Sequence, residues 1–173
     1  MVSATGPICR IPGLFCGLAA LGCGSASFDG RSYSSAEVAF HVGPVPAGWR
    51  IIEVDEALVA FRNDAARATV MVNGRCGRDA DDVPLGALTR HLFLQFTGKN
   101  VMSEATVKLD GREALRTEIS AALDGVKKHY VAYVLKKNGC VYDLVQVAAA
   151  RNAGEVGAFD EFARGFATAG EAR

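Results

Sequence analysis

Short runs of β-branched and aromatic residues, separated by polar turns, fill the first half of the chain after its N-terminal segment. These runs cover residues 38–42, 49–54, 58–62 and 67–73. Runs of this length and composition, with short connections, are typical of antiparallel strands joined in hairpins. The pattern therefore predicts a β-meander that extends to Asn73.

The period of the apolar residues changes after Pro84. Apolar side chains now recur at spacings of three and four, at Leu85, Leu88, Leu92, Phe93 and Phe96. This spacing places them on one face of a helix. We expect a helix over residues 84–97, with Asp82 and Pro84 at its start and Gly98 at its end.

Turn dipeptides organise the second half of the chain. Strands are expected at residues 101–109, 113–123, 127–136 and 141–149. The connections are Asp110-Gly111, Asp124-Gly125 and Asn138-Gly139. An Asp-Gly or Asn-Gly pair between apolar runs is the strongest short-range indication of a hairpin. Residues 130–135 are apolar on both faces, as expected of a central strand that is covered on two sides.

A second amphipathic helix is expected over residues 153–167, where aromatic and small apolar residues recur at helical spacing. Together these elements predict the α+β class. We expect an antiparallel sheet of about six to eight strands flanked by two main helices, in a three-layer α/β/α sandwich.

The first 23 residues have the order of a secretory signal. Arg10 precedes an apolar run over residues 11–21, and small residues follow. The run is about half of the roughly 20 residues that a helix needs to span a bilayer. We therefore expect a cleaved signal peptide over residues 1–22 rather than a permanent transmembrane helix.

The end of this segment resembles the signal of a bacterial lipoprotein precursor, in which a lipobox of Leu, a small residue, Gly or Ala, and Cys precedes lipidation. Gly22 and Cys23 match it, whereas the two preceding positions hold Ala and Leu where Leu and a small residue are usual. The resemblance implies acyl groups, palmitate among them, on Cys23. The alternatives are cleavage after Ala26, which would release a secreted chain, and a cytosolic protein with an apolar N-terminus.

Five cysteines are an odd number for an exported protein, but their positions resolve the difficulty. Cys9 and Cys16 would leave with the signal and Cys23 would carry the anchor, so that Cys76 and Cys140 are left as one possible pair. We expect a structural disulfide between them, with two unlinked thiols, or a redox or metal role, as the alternatives.

Charge and motifs exclude several functions. The chain carries 19 basic and 19 acidic residues, and loss of the signal removes only Arg10, so no basic field for nucleic acid is expected. The histidines, at positions 41, 91 and 129, lie in three different elements without metal spacing, and the acidic group at positions 79, 81 and 82 lacks the pattern of a calcium loop. We expect no metal, no cofactor and no catalytic residues.

The order of meander, helix, four-stranded meander and C-terminal helix resembles the PsbP/DcrB-like superfamily, which has a DUF1795-like fold. The residues that carry the resemblance are Val45-Pro46-Ala47-Gly48-Trp49, Leu109 to Ala114, Tyr133-Val134-Leu135 and the helix from Phe159 to Phe166. It covers residues 38–167. The superfamily includes bacterial lipoproteins and the chaperones of type VI secretion effectors, and its members are mostly accessory proteins without catalytic residues.

The resemblance and the signal predict a lipidated Cys23 with a flexible tether over residues 23–37, one domain over residues 38–167 and a tail over residues 168–173. The expected function is that of a non-catalytic binding or assembly module in the cell envelope, with an envelope protein or an apolar ligand as partner. Gly24 stands where an Asp would retain a lipoprotein in the inner membrane of enteric bacteria, so the outer membrane, facing the periplasm, is favoured. The alternatives are a cytosolic effector chaperone, and an enzyme that uses His91 with Glu104 or Asp143.

Overall fold

The computed structural model describes residues 26–77 and 82–169. The strands before the first helix are β1 (Ser27–Phe28), β2 (Ser32–Ser34), β3 (Ala39–His41), β4 (Arg50–Ile52), β5 (Val59–Asn63) and β6 (Ala68–Cys76). Those after it are β7 (Thr97–Leu109), β8 (Arg112–Leu123), β9 (Val126–Lys137), β10 (Cys140–Ala148) and β11 (Ala167–Thr168). The helices are α1 (Leu85–Leu92) and α2 (Ala153–Arg164).

These strands form two antiparallel sheets. The main sheet has seven strands in the order β4-β5-β6-β10-β9-β8-β7, and the small sheet has four in the order β1-β2-β3-β11. With two helices, this architecture confirms the predicted α+β class. Of the small sheet only β3 was predicted, within the run 38–42; its other strands have at most three residues each and were missed.

The three predicted hairpin turns are confirmed. In each turn both residues have positive φ: Asp110 49° and Gly111 74°, Asp124 50° and Gly125 77°, Asn138 54° and Gly139 71°. Paired positive φ values define the tight turn whose twist matches that of the flanking strands. The turns therefore bring β7, β8, β9 and β10 side by side in chain order.

The two faces of the main sheet are covered by different helices. Along β9, Tyr130 and Ala132 pack with Phe93 from the α1 side. The alternate residues of the same strand, Val131 and Tyr133, pack in the cluster that holds α2 and the small sheet. Because side chains alternate across a strand, β9 lies at the centre of a three-layer arrangement.

The first helix is shorter than predicted, and its start is different. It ends at Leu92 rather than Thr97, and its N-cap is Pro84, without a side-chain capping bond from Asp82. Beyond it, Phe93 and Phe96 lie edge-on to the ring of Tyr130, with centroids 5.7 and 5.1 Å away. Because these rings pack on the sheet, the chain leaves the helix after Leu92 and makes tight turns before β7 begins at Thr97.

The N-terminal segment also differs from the prediction of a flexible tether over residues 23–37. Residues 27–34 form a hairpin on β3, in which Tyr33 is buried and its ring stacks on that of Phe40 at 5.0 Å. At the other end, Thr168 pairs with Phe40 instead of belonging to a tail. The predicted signal peptide, Cys23 and the acidic residues at 79 and 81 lie outside the described residues.

Candidate functional site

A groove runs between α1 and the β7–β8 hairpin, and we call it the α1 groove. Its volume is about 550 Å³, within the usual range of small-molecule sites. The helix side contributes Thr89, Phe93 and Leu94, and the strand side contributes Val101 and Ile119. The groove exists because α1 ends at Leu92, whereas β7 continues past it as an edge strand.

Several apolar side chains of the α1 groove face solvent. Leu94 is 67% exposed and Val101 is 55% exposed, while Ile119 and Phe93 beneath them are buried. Large exposed apolar side chains that adjoin a concave apolar surface indicate a binding region more strongly than a single exposed residue does. The floor of the groove is therefore buried and apolar, and part of its rim is apolar as well.

Two hydroxyl groups define the polar part of the groove. Thr117 donates a hydrogen bond of 3.2 Å to Glu104 Oε2. Thr89 is only 2% exposed, and within residues 26–77 and 82–169 its Oγ1 has no hydrogen-bond partner. Buried hydroxyl groups are nearly always paired, so the enclosed Thr89 hydroxyl, on a residue that lines the groove, is unusual as an unused donor and acceptor.

The side chains around the opening of the α1 groove are mostly basic. Arg90 and His91 belong to the last turn of α1, and Lys99 lies on β7. In the described part of the chain no ion pair joins Arg90 or Lys99 to a carboxylate. Among the described lining residues, the basic side chains therefore outnumber the acidic one, Glu104, beside an apolar floor.

The opposite end of the same sheet face holds a buried carboxylate. Asp143 is 2% exposed and accepts hydrogen bonds from Arg75 Nη1 at 3.0 Å and from Asn73 Nδ2 at 3.4 Å. Burial raises the pKa of the Asp143 carboxyl above its usual value, although Arg75 and Asn73 oppose the shift. Asn73 in turn accepts a bond from the backbone N–H of Leu58, so this cluster ties β6 and β10 to the loop before β5.

A second polar cluster lies on the α2 side of the sheet, where Glu118 is buried between His129 and Arg151. His129 Nε2 lies 3.0 Å from Glu118 Oε1, and Arg151 Nε donates to the same oxygen at 2.5 Å. Burial alone would raise the pKa of Glu118, but the bonds to Arg151 and His129 hold it below its usual value. Because Glu118 and His129 are 5% and 3% exposed, a substrate has no direct access to them.

A third cluster attaches α2 to the sheet. Arg116 donates two parallel hydrogen bonds to the carboxylate of Asp160, at 3.0 and 3.1 Å, and the hydroxyl of Tyr133 donates to it at 2.7 Å. Burial, with Asp160 nearby, raises the pKa of Tyr133 to about 12. These bonds fix the helix position and, like the Glu118 cluster, are part of the packed interior.

The candidate site residues predicted from the sequence lie in different parts of the structure. Cys76 and Cys140 form a disulfide that joins β6 to β10, where the two residues are direct register partners. His91 and Glu104 both line the α1 groove, whereas Asp143 lies in its own cluster. No group of three or more His, Cys, Asp or Glu side chains in the described ranges could hold a metal ion.

The α1 groove itself was not predicted. Its sequence indication is the placement of Thr89 four residues before Phe93, on the sheet-facing side of α1. The chain positions of Leu94 and Val101 carry no such indication, because their exposure depends on where the helix ends. Neither helix of the described residues is long and apolar enough to cross a membrane.

Several solved structures share this architecture. LpqN, described as involved in cell envelope biogenesis of Mycobacterium tuberculosis, aligns with a TM-score of 0.53 and 16% identity, over 77% of this chain and 86% of LpqN. Cyanobacterial PsbP (CyanoP) from Synechocystis aligns with a TM-score of 0.53 and 16% identity, over 95% of this chain and 100% of CyanoP. A protein from Bacteroides thetaiotaomicron aligns with a TM-score of 0.54 and 12% identity, over 78% of this chain and 46% of its own.

No protein-family model and no curated protein sequence matches this chain. The structural likenesses therefore define its class, which is that of proteins with a PsbP-like fold, and they confirm the predicted fold. At 12–16% identity these likenesses show the fold alone.

Proposed function

We propose that this protein is a non-catalytic binding module of the cell envelope, held at a membrane by acyl groups on Cys23. The α1 groove is where it holds an apolar ligand or an apolar segment of an envelope partner. The observation that carries this proposal is the open groove itself, with Leu94 and Val101 exposed above the buried floor of Phe93 and Ile119.

The envelope location is supported by three independent features. The first 23 residues follow the order of a lipoprotein signal and end at Cys23. The Cys76–Cys140 disulfide suits an oxidising compartment. LpqN, which shares the fold, is described as involved in cell envelope biogenesis. Gly24 after Cys23 favours the outer membrane, facing the periplasm.

A non-catalytic role is supported by the placement of the titratable groups. Among the described residues Glu118 and His129 form a hydrogen-bonded acid–imidazole pair, and both are enclosed. His91 and Glu104 reach the α1 groove, but in the described residues no hydrogen bond joins them, and Glu104 is engaged by Thr117. General acid–base chemistry needs its groups within hydrogen-bond reach of a substrate, and the enclosed Glu118–His129 pair does not offer this.

Anchoring can be tested by replacing Cys23. The full chain is expressed in a bacterium that lipidates proteins, and the membrane fraction is analysed by intact mass spectrometry. We expect a mature chain that starts at Cys23 and carries acyl mass. The Cys23→Ser variant should lose this mass and should no longer start at residue 23, whereas Cys16→Ser should behave as the wild type because that cysteine leaves with the signal.

The same measurement separates the alternatives. A chain that starts after Ala26 without acyl mass would identify a secreted protein. An unprocessed chain in the cytosol would contradict the envelope proposal and favour the effector-chaperone alternative.

A further inference from the structure

We propose that the α1 groove binds a single-chain amphiphile with an anionic head group. The chain lies on the apolar floor, and the head group contacts Arg90 and Lys99. This inference rests on the proposed binding function of the groove and adds the chemical class of its ligand.

The shape and lining of the groove favour an alkyl chain. Phe93 and Ile119 form a buried floor, and Leu94 and Val101 leave large apolar surfaces uncovered beside it. An alkyl chain laid between them would remove apolar surface on both sides from water, which is the main favourable term in such binding. The volume of about 550 Å³ is that of a small-molecule site, and the groove is open along one side.

The charges at the groove select the head group. Arg90, His91 and Lys99 surround the opening, and Glu104, the acidic residue that lines it, already accepts a hydrogen bond from Thr117. No described carboxylate lies within ion-pair distance of Arg90 or Lys99, so an anion would meet two cations there, with Glu104 as the one acidic side chain in the described lining. A cationic head group would meet repulsion at the same place.

The Thr89 hydroxyl is a second, independent indication of a ligand. Thr89 is one of the residues that line the groove, it is 2% exposed, and its enclosed Oγ1 has no hydrogen-bond partner in the described residues. Such a group costs stability in the free protein, and a ligand oxygen that accepts its hydrogen bond would recover that cost. An anionic head group supplies acceptor oxygens, whereas an alkyl chain alone does not.

The head-group assignment is tested by titration calorimetry of the full chain with three probes of equal chain length. Dodecanoate carries a carboxylate, dodecanol is neutral and dodecyltrimethylammonium is cationic; the two ionic probes are used below their micellar concentrations and dodecanol below its solubility limit. We expect dodecanoate to bind about tenfold or more tightly than either other probe, and its affinity to fall as salt rises. Equal affinities for the three probes would overturn the assignment of the head group.

The location is tested by matched pairs of exposed substitutions. The double variant Leu94→Gln/Val101→Gln should weaken dodecanoate binding about tenfold, since it removes apolar contacts. The control Leu123→Gln/Val126→Gln changes a similarly exposed Leu and Val outside the groove and should bind as the wild type does. For the charges, Arg90→Gln/Lys99→Gln should lower the affinity about tenfold, whereas Lys108→Gln/Arg112→Gln should leave it unchanged.

The role of the hydroxyl has its own variant. Thr89→Val keeps the side-chain shape, so it should raise the melting temperature of the free protein and lower the affinity for dodecanoate. If Thr89→Val binds dodecanoate as tightly as the wild type, the Thr89 hydroxyl does not contact the ligand. Binding that none of the groove variants weakens, or no binding of dodecanoate at all, would overturn the proposal, while acyl mass on Cys23 would still support the envelope location.

Discussion

A Cβ atom at Gly165 would lie 2.4 Å from the Cα atom of Gly43, so the two backbones touch where the chain leaves α2. Gly43 is equally confined, since its own Cβ would lie 2.3 Å from the carbonyl oxygen of Phe162. Real Cβ atoms do not approach other atoms so closely. Two glycines distant in the chain therefore allow the end of α2 to pack against the loop after β3.

This contact predicts the effect of adding one methyl group. Gly165→Ala should lower the free energy of unfolding by about 2 kcal/mol, because the loop or the helix end must move. Gly157→Ala is the matched control, since Gly157 lies within α2 with no atom within 4 Å of its Cβ position. It should gain about 0.5–1 kcal/mol from helix propensity. Urea unfolding measures both, and a Gly165→Ala protein as stable as wild type would contradict the packing.

The attachment of α2 through Asp160 gives a second prediction. Asp160→Ala removes the partner of Arg116 and of the Tyr133 hydroxyl, so we expect a loss of about 2 kcal/mol in the free energy of unfolding. Glu161→Ala is the control, because Glu161 is 77% exposed and its pair with Arg164 spans 3.9 Å. Its effect should be within about 0.5 kcal/mol. Equal losses in the two variants, measured by urea unfolding, would contradict the assigned role of Asp160.

The elements that could be predicted from the sequence depend on local conformation. Asp110-Gly111, Asp124-Gly125 and Asn138-Gly139 adopt positive φ at both positions, and few other residue pairs do so at low cost. The two-sided apolar pattern of residues 130–135 likewise predicted a central strand, which β9 is. Such features do not depend on distant parts of the chain.

The elements that could not be predicted depend on distant contacts. The helical spacing of Phe93 and Phe96 is genuine, but both rings pack on Tyr130, more than 30 residues away. The helix therefore ends early and the α1 groove opens. The hairpin of residues 27–34 has a polar composition, and Tyr33 is buried because its ring stacks on that of Phe40. These contacts also bring together the residues that line the α1 groove, such as Thr89 and Val101.

The disulfide makes a third prediction. Cys76 and Cys140 are separated by 64 positions, and a loop of that size is worth about 4 kcal/mol in the chain-entropy model, as an upper value. Cys76→Ala/Cys140→Ala should therefore unfold at a lower urea concentration while it keeps its strand content, because β6 and β10 pair along their whole length. Reductant should lower the stability of the wild type toward that of the double variant. If reductant lowers the stability of the double variant as much as that of the wild type, the loss does not come from the Cys76–Cys140 disulfide.

Asp143 predicts how stability depends on pH. Burial raises the pKa of its carboxyl above 3.8 in the folded protein, although Arg75 and Asn73 partly oppose the shift, and the unfolded chain keeps the ordinary value. Above the raised pKa, the folded state holds a buried charge at a cost. As the pH falls toward 3.8, the folded state takes up its proton before the unfolded state does, and that cost disappears.

The variant Asp143→Asn isolates this contribution, because the amide has nearly the same shape and does not titrate. It should be more stable than the wild type at pH 7, since burial outweighs the interaction with Arg75, whose side chain is 51% exposed. Its advantage should shrink as the pH falls through the raised pKa toward 3.8 and vanish below it. Glu53→Gln, at an exposed position, should not change the difference between pH 7 and acid. Urea unfolding at several pH values across this range measures the difference in stability. If the advantage of Asp143→Asn grows on acidification, the pairing with Arg75 outweighs burial.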